Sequence, residues 1–330
     1  MEHIADPIDR RLLNDWQRGF PITERPFAEL ARALMLDEAE VLNRLQRMIG
    51  SGRISRIGAT CAPNTISAST LAAVAAPEER IEEVAAIIGA EPGVNHSYLR
   101  ENHWNLWFVA TGPDRDEVNA SLERISARSG LRVLDLRLVR PFNIDLGFEL
   151  TSNRPLAHSP RLVDVNAMQE RDRNLLQMLT SGLPVVPRPF AELAAELGWT
   201  EPEVRARITA LNKAGIVSRF GVIVRHRALG WSSNAMVVWD LSSEAINEAG
   251  PQLAAHPGIT LCYERTPVDG VWPYRLYSMI HARSRAEALD VLTAATELPA
   301  MQGAEYEVLF STRCFKQRGA LIAHKKEVAA

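Results

Sequence analysis

The sequence has few cysteines, little net charge and no long hydrophobic segment. Only three of its 330 residues are cysteine, and they are widely spaced without a CxxC pair, which excludes a disulfide framework and argues against a zinc site. No apolar run approaches the roughly 18–20 residues of a membrane span, and residues 1–11 lack a signal-peptide core, so we expect a cytoplasmic protein without a membrane partner. Hydrophobic (46%) and charged (23%) fractions are those of globular proteins and exclude disorder.

Internal repetition is the feature the sequence has in abundance. Arg25-Pro-Phe-Ala-Glu-Leu-Ala31 recurs unchanged as Arg188-Pro-Phe-Ala-Glu-Leu-Ala194, an offset of 163 residues. Ile54-Ser-Arg-Ile-Gly58 matches Val217-Ser-Arg-Phe-Gly221 at the same offset. Two copies are too few for a solenoid, so the pattern indicates a fused pair of homologous units packed as an internal pseudo-dimer, and it leaves a further homodimer open.

Each copy combines two patterns. Helical periodicity over three segments followed by a strand predicts a winged helix-turn-helix, and the order βαββαβ that follows predicts a ferredoxin-like antiparallel sheet with both helices on one face and the other face free for a partner or ligand. The predicted fold class is α+β, with this two-domain unit repeated in tandem. The last strand of each copy is predicted at 131–139 and 304–311. The predicted domains are 1–60 (helix-turn-helix) and 61–145 (ferredoxin-like) in copy one, a linker over 146–165, 166–223 (helix-turn-helix) and 224–320 (ferredoxin-like) in copy two, and a tail over 321–330.

This layout resembles the Lrp/AsnC transcription regulators, which implies a DNA-binding regulator with a small-molecule effector such as a tetrapyrrole. The helix in the recognition position begins with acidic residues in both copies, at 37–40 and 201–203, and acidic residues repel a phosphate backbone. The net charge of −3 is also not that of a typical DNA-binding protein. We therefore interpret the helix-turn-helix as a packing and dimerisation unit, treat nucleic acid as a disfavoured partner, and keep the regulator as the alternative function.

The candidate site lies where the second and third strands of each sheet meet. In copy one, strand alternation places His96, Tyr98 and Arg100 on one face, a combination that would be costly to bury unpaired. Copy two keeps Tyr263 and Arg265 in phase. A second interpretation stays open, in which this is an aromatic sheet surface covered by its neighbour and the arginines pair with adjacent glutamates.

Several strings in this region are jointly similar to the sirohaem decarboxylases, which share the Lrp/AsnC layout. They are Ala62-Pro-Asn-Thr65, Ala68-Ser-Thr-Leu71, the His96-x-Tyr-x-Arg-Glu segment leading into Asn105-Leu-Trp-Phe108, Leu261-Cys-Tyr-x-Arg265, Trp272-Pro-Tyr-x-Leu-Tyr277 and Lys316-Gln-Arg-Gly319. Copy one resembles the D-type subunit of that family and copy two the L-type subunit. Over residues 8–320 the chain therefore resembles a natural D–L fusion.

The resemblance implies conversion of sirohaem to 12,18-didecarboxysirohaem in haem d1 biosynthesis, by loss of two acetate carboxylates. Such chemistry needs an acid that protonates the pyrrole beside the acetate, and His96 is the candidate, with Tyr98 and Arg100 completing the catalytic group. No organic cofactor and no dedicated metal is expected, because iron arrives inside the substrate, near His96. The residues expected to bind substrate are His103, Trp104, Trp107, His226, Tyr263, Arg265, Tyr274 and Tyr277. Because copy two has Leu261 in place of the acid, we expect one fully equipped pocket, centred on copy one.

Overall fold

The computed structural model describes residues 6–63, 65–143 and 162–323. They fall into two compact units, each assembled from both copies of the repeat. The helical unit takes residues up to 67, 158–229 and 319 onward, and the sheet unit takes 68–157 and 230–318. The two predicted helix-turn-helix segments therefore share one unit and the two ferredoxin-like segments share the other. Most of the predicted linker, 146–165, and most of the predicted tail lie outside the described residues.

The order of helices and strands follows the predicted pattern twice. The described helices are α1 (Pro7–Asn14), α2 (Pro26–Leu34), α3 (Glu38–Gly50), α4 (Ile81–Ala90), α5 (Arg115–Ser129), α6 (Asp172–Ser181), α7 (Pro189–Leu197), α8 (Glu201–Lys213), α9 (Ile246–Ala255) and α10 (Arg285–Thr296). The described strands are β1 (Ile54–Cys61), β2 (Ala68–Val74), β3 (Val94–Arg100), β4 (Leu106–Gly112), β5 (Val133–Leu136), β6 (Leu138–Asn143), β7 (Val217–Val224), β8 (Ser233–Asp240), β9 (Ile259–Arg265), β10 (Leu276–Ala282) and β11 (Glu305–Gln317). None of these helices combines the length and the apolar character needed to cross a bilayer.

The repeated heptapeptide folds in the same way in both copies. Pro26 and Pro189 occupy the first turn of α2 and α7, where the missing N–H costs nothing, and both helices have nine residues. The ends of the two helices differ. Copy two stops α7 with Gly198 at φ 70°, whereas copy one stops α2 with Met35 at φ 56°, a left-handed conformation that costs a non-glycine residue energy.

The wing strands join the two copies inside the helical unit. β1 and β7 pair antiparallel with Gly58 opposite Gly221. A Cβ atom on Gly58 would lie 2.2 Å from the carbonyl oxygen of Leu179, and one on Gly221 would lie 2.3 Å from that of Trp16. Each glycine therefore lets the end of the other copy's first helix approach the strand backbone.

The strands of the sheet unit are shared between the copies. Their order is β5-β2-β4-β3-β11-β8-β10-β9-β6, and every neighbouring pair is antiparallel. The first part of β11 pairs with β8 of its own copy and the last part with β3 of copy one. In the same way β5 pairs with β2, while β6, which follows after Arg137 alone, pairs with β9 of copy two.

These crossings correct the predicted last strands. The strand predicted at 131–139 is two strands that belong to different halves of the sheet, and the strand predicted at 304–311 continues to residue 317. The extra length pairs with the other copy, which the pattern of one copy does not reveal. The last strand of each copy therefore ends in the sheet of the other.

The two faces of the sheet have different coverings. On one face, α4 and α5 pack on the strands of copy one, and α9 and α10 pack on those of copy two. On the opposite face, side chains from the two halves of this sheet, each half built mainly from one copy, pack against each other in one core, here called the inter-sheet core. Its buried members are Leu71, Ala73, Trp104, Trp107, Leu134, Leu136, Met236, Val238, Tyr263, Trp272, Tyr277, Met279 and Leu309. The prediction that this face is free is wrong at these residues, because each copy covers the other.

Candidate active site on strand β3

Three of the predicted site residues form a row along β3. The rings of His96 and Tyr98 are stacked, with centroids 6.5 Å apart and planes at 16°. The guanidinium carbon of Arg100 lies 5.6 Å from the centroid of the Tyr98 ring. The shared face predicted from strand alternation is confirmed, whereas the catalytic roles of the three residues stay predictions.

An irregularity in β3 directs this row away from the helices. Val94 and Leu99 both contribute to the helix-side core, although five positions separate them and regular alternation would place them on opposite faces. The pairing of β3 with β4 shifts between Val94 and His96, which resolves the conflict and turns the row toward the other face. Arg100 is 6% exposed, whereas Tyr98 and His96 are both half-buried. The accessible part of the row is therefore formed by His96 and Tyr98.

Residues from both copies flank the row. His96 has Val109 of β4 as its neighbour on one side and Gln317 of β11 on the other. Tyr98 likewise lies between Trp107 and Cys314. Sequence reasoning missed Cys314 and Gln317 because they reach β3 only through the crossing of β11. One signal pointed to this segment: the string at 316–319, which lies at the end of copy two, is among the strings that carry the family resemblance.

In the matching row of copy two, Tyr263 is buried, and Leu261 and Arg265 are half-buried. Tyr263 is 8% exposed and stacks on Tyr277, with centroids 5.7 Å apart, and the guanidinium carbon of Arg265 lies 4.6 Å from the Tyr263 ring. Leu261, in the position of His96, has Met279 as its neighbour on β10. This row therefore combines an apolar residue with packed tyrosines where copy one has a half-buried imidazole.

The two arginines of these rows contact the crossing strands. Arg100 donates from Nη1 to the carbonyl oxygen of Leu309 at 2.9 Å and to Oδ1 of Asn234 at 3.2 Å. Arg265 donates to the carbonyl oxygen of Leu136 at 2.7 Å, and burial lowers the pKa of its guanidinium. Each arginine thus binds the last strand of the opposite copy. Their expected role as forks for substrate carboxylates stays a prediction.

The glutamates next to these arginines have other partners. Glu101 pairs with Arg285 at 2.8 Å, and Glu264 pairs with Arg140 at 2.9 Å. The interpretation that placed Arg100 and Arg265 in ion pairs with these two carboxylates stays a prediction. Its other half, a sheet surface covered by its neighbour, describes the inter-sheet core correctly.

The predicted aromatic residues lie mostly inside that core. Trp107 is 1% exposed and Tyr277 is fully buried, so neither presents a face to a macrocycle, in contrast to the expectation. Trp104 joins the same cluster because it precedes β4, where strand alternation does not apply. Trp272, which sequence reasoning did not select, donates its indole N–H to the Tyr277 hydroxyl at 2.7 Å.

Tyr274 lies at the margin of the core and is half-buried. Its ring meets Trp272 edge-on, with centroids 4.9 Å apart. Burial, and to a smaller extent a hydrogen bond to Glu307, raises the pKa of the Tyr274 phenol to about 12. The phenol is therefore a neutral hydrogen-bonding group at physiological pH.

The remaining histidines have separate environments. His103 is exposed in the loop between β3 and β4, with its ring edge-on to Trp104. His226 is half-buried and begins a 3-10 turn of the helical unit, so it does not share a unit with the β3 row. His281 of β10 is buried against Thr260 and Asn234. Burial, reinforced by the charge of Arg100, lowers the pKa of the His281 imidazole to about 4, so it is neutral at pH 7.

A separate groove lies on the helix side of the sheet. It has a volume of about 390 Å³ and lies beside α4. Its lining residues are Glu82, Ala85, Ala86, Gly89, Phe315, Lys316 and Arg318. Within residues 6–63, 65–143 and 162–323, no three His, Cys, Asp or Glu side chains converge as metal ligands. The expectation that the protein has no metal of its own stays a prediction.

Comparison with known families defines the class of protein. The model of the AsnC-like ligand binding domain matches residues 66–142 and 228–316, and the model of the siroheme decarboxylase NirDL-like HTH domain matches 9–54 and 172–217. The chain is thus a duplicated helix-turn-helix and AsnC-like protein, which is the predicted fold class.

Individual proteins narrow this class. The siroheme decarboxylase NirDL subunit of Paracoccus pantotrophus is 56% identical over 98% of this chain and 99% of its own length. The NirD subunit of Stutzerimonas stutzeri is 48% identical over 45% of this chain and 97% of its own length, which is about one copy. A crystal structure of the siroheme decarboxylase NirDL in co-complex with an iron-uroporphyrin III analogue matches with TM-score 0.66 and 26% identity, over 96% of this chain and 94% of that one. The chain belongs to the sirohaem decarboxylase family, in its fused NirDL form.

Proposed function

We propose that the protein is a carboxy-lyase that converts sirohaem to 12,18-didecarboxysirohaem in haem d1 biosynthesis. The observation that carries the proposal is the whole-length similarity to a named siroheme decarboxylase NirDL subunit. The analogue bound in the related solved structure supports an iron tetrapyrrole as substrate. Iron would then enter as part of the substrate, and the reaction needs no separate cofactor.

The chemistry replaces each acetate carboxylate by hydrogen. A proton added to the pyrrole carbon beside the acetate side chain turns the ring into an acceptor for an electron pair. The bond to the carboxylate then breaks, carbon dioxide leaves, and its bonding electrons enter the ring. A proton taken up by the exocyclic carbon and one lost from the ring carbon leave a methyl group, so each of the two decarboxylations consumes one proton and releases one carbon dioxide. The protein must therefore supply a group that gives and takes protons near neutral pH.

His96 is our candidate for this group. Imidazole is the side chain whose charge changes in the physiological range, and His96 is half-buried in the β3 row. Tyr98, stacked on the imidazole, would orient it, and its hydroxyl would be a second proton donor beside the imidazole. Arg100 is more deeply buried, and its contacts suit a residue that holds Tyr98 in place. We propose one such site, in copy one, because Leu261 replaces the acid in copy two.

The residues expected to bind substrate have unequal support. His103 is exposed and Tyr274 half-buried, so both are proposed to contact the edge of the macrocycle. Trp107 and Tyr277 are enclosed and are proposed to support the sheet behind the site. The buried residues Trp104 and Tyr263 are proposed to have the same supporting role. Arg265 is half-buried and stays a proposed substrate contact, and the proposal for His226 rests on the sequence alone.

Anaerobic incubation with sirohaem tests the reaction directly. Mass spectrometry should show loss of two carboxyl groups as carbon dioxide. His96→Ala should abolish turnover while pigment binding, followed by its absorbance, is retained. Ser97→Ala is the matched control, since Ser97 is the next residue of β3 and is buried on the opposite face. Full activity of His96→Ala would remove this residue from the mechanism.

The regulator alternative has less support from the helical unit. Arg44 of α3 is held by Asp6 and Asp9 at 2.7 Å, and Arg207 at the matching place in α8 is held by Asp172. In these ion pairs, carboxylates of the same protein neutralise two arginines that a DNA-binding helix would use to contact phosphates. Unchanged pigment in the incubation, together with salt-sensitive binding to a DNA duplex, would favour the regulator and refute the decarboxylase.

A further inference from the structure

A chain of hydrogen bonds crosses the sheet unit from copy two to Arg100 of copy one. It begins at Thr260 on β9, whose Oγ1 lies 2.7 Å from Nδ1 of His281 on β10. Nε2 of His281 lies 2.7 Å from the amide nitrogen of Asn234 on β8, and Oδ1 of Asn234 accepts from Arg100 at 3.2 Å. The chain thus connects four strands of the shared sheet and ends beside the β3 row.

The donors and acceptors along this chain have one consistent assignment. Thr260 donates its hydroxyl hydrogen to the carbonyl oxygen of Met279 at 3.0 Å, so its oxygen accepts from Nδ1–H of His281. Nε2 of His281 then accepts from the amide of Asn234, which leaves Oδ1 of Asn234 as the acceptor for Arg100. The bond from the Asn234 amide to Nε2 requires a neutral His281, and the burial of that imidazole keeps it neutral. The amide of Asn234 is therefore fixed in the orientation that receives the guanidinium.

Copy one does not repeat this chain. Strand pairing places Ser69 opposite Thr111, just as it places Asn234 opposite His281 in copy two. The Thr111 hydroxyl donates to the carbonyl oxygen of Gly93 within its own copy. The two copies therefore differ in a reciprocal way, because copy one has the imidazole of the site and copy two has the polar chain that reaches it.

We propose that Asn234 and His281 are positioning residues through which copy two holds Arg100 against Tyr98, and thereby fixes the Tyr98–His96 pair for proton transfer. This inference rests on the proposed function. Arg100 donates to the Leu309 carbonyl and to Asn234, and its guanidinium in turn lies beside the Tyr98 ring. Copy two, without an acid of its own, thus contributes to the site in copy one.

Two substitutions of similar size separate positioning from packing. Asn234→Leu removes the acceptor for Arg100, and Asn234→Asp keeps an oxygen in the same place. Hydrogen bonds to charged groups are strong, so loss of this bond in the leucine variant should lower kcat by about tenfold or more. KM and pigment affinity should stay near wild type. The aspartate variant should retain most of kcat, although it places a carboxylate beside His281. If Asn234 were needed only for packing, the leucine variant would have a kcat equal to or higher than that of the aspartate variant.

The route through Arg100 has its own test. In an Arg100→Gln background, Asn234→Leu should lower kcat no further, because the group it positions is already absent. Ser69→Ala, at the matching place in copy one, is the control and should leave kcat unchanged. If the leucine variant does not fold, Asn234→Ala, which is too short to reach the guanidinium, replaces it and should show the same loss.

The outcomes separate this inference from the proposed function. Wild-type protein that leaves sirohaem unchanged would refute the proposed function. Wild-type turnover with an undiminished kcat in Asn234→Leu, or with additive losses in the double variant, would overturn the positioning role and leave the decarboxylase intact.

Discussion

Acidification should destabilise the sheet unit through one side chain, His281. This imidazole is buried between Thr260 and Asn234, and burial together with the charge of Arg100 lowers its pKa from 6.5 to about 4. The unfolded chain takes up a proton near pH 6.5, whereas the folded protein resists it until about pH 4. Stability from this group is therefore complete above pH 6.5 and is lost as the pH falls between these values.

The size of the effect follows from the two pKa values. A difference of one pKa unit corresponds to about 1.4 kcal/mol, so the full shift limits the effect to about 3 kcal/mol. Between pH 7 and pH 4.5 most of this range is crossed, and we expect the free energy of unfolding to fall by about 2 kcal/mol through His281 alone. Other groups titrate in the same interval, so the quantity to measure is a difference between two proteins.

Urea unfolding of wild type and His281→Gln at several pH values isolates that difference. Glutamine does not titrate, and its amide can still accept from Asn234 and donate to Thr260. Tryptophan fluorescence reports chiefly on the sheet unit, because Trp104, Trp107, Trp231, Trp239 and Trp272 lie within it. The wild-type curve should lose about 2 kcal/mol more than the variant curve on acidification. Parallel curves would refute the proposed protonation state of His281.

Two further predictions concern the helical unit. Met35→Gly should stabilise the protein by about 1 kcal/mol, because glycine adopts the left-handed end of α2 without cost, and the reciprocal Gly198→Met should destabilise it by a similar amount, both measured as shifts of the thermal midpoint. Gly58→Ala should cost about 2 kcal/mol or more in chemical denaturation, because its Cβ would lie 2.2 Å from a backbone oxygen that cannot move aside. Gly50→Ala is the control, since its added Cβ would lie more than 4 Å from every atom outside its chain neighbours and the backbone of its own helix. Equal midpoints for the two alanine variants would contradict this account.

The local structure of each copy was accessible from the sequence. The repeated heptapeptide predicted the repeated helix, because proline at the first turn and the apolar spacing after it are local features. Alternation predicted that His96, Tyr98 and Arg100 share a face. It did so although β3 is irregular, because the irregularity lies before the row rather than within it.

The features that escaped prediction depend on contacts between the copies. No pattern within 131–139 shows that the chain leaves one half of the sheet at Arg137 and enters the other. The burial of Trp107 and Tyr277 follows from the same pairing, which covers a face that each copy alone would leave open. Gln317 reaches His96 only through the second crossing, in which the last part of β11 pairs with β3. Such contacts join residues far apart in sequence, and a periodicity of two or 3.6 residues carries no information about them.

The crossing of the last strands gives the covalent link between the copies a sorting role. Separate copies that exchanged a strand could also pair with their own kind, since β11 pairs with β3 of copy one and β6 with β9 of copy two. A pair of two second copies would have leucine at both positions that match His96, and a pair of two first copies would have no Asn234–His281 chain. One polypeptide keeps an unlike partner at an effective concentration in the millimolar range, above that of any like partner in dilute solution. The fusion thus selects the one combination in which imidazole and polar chain meet.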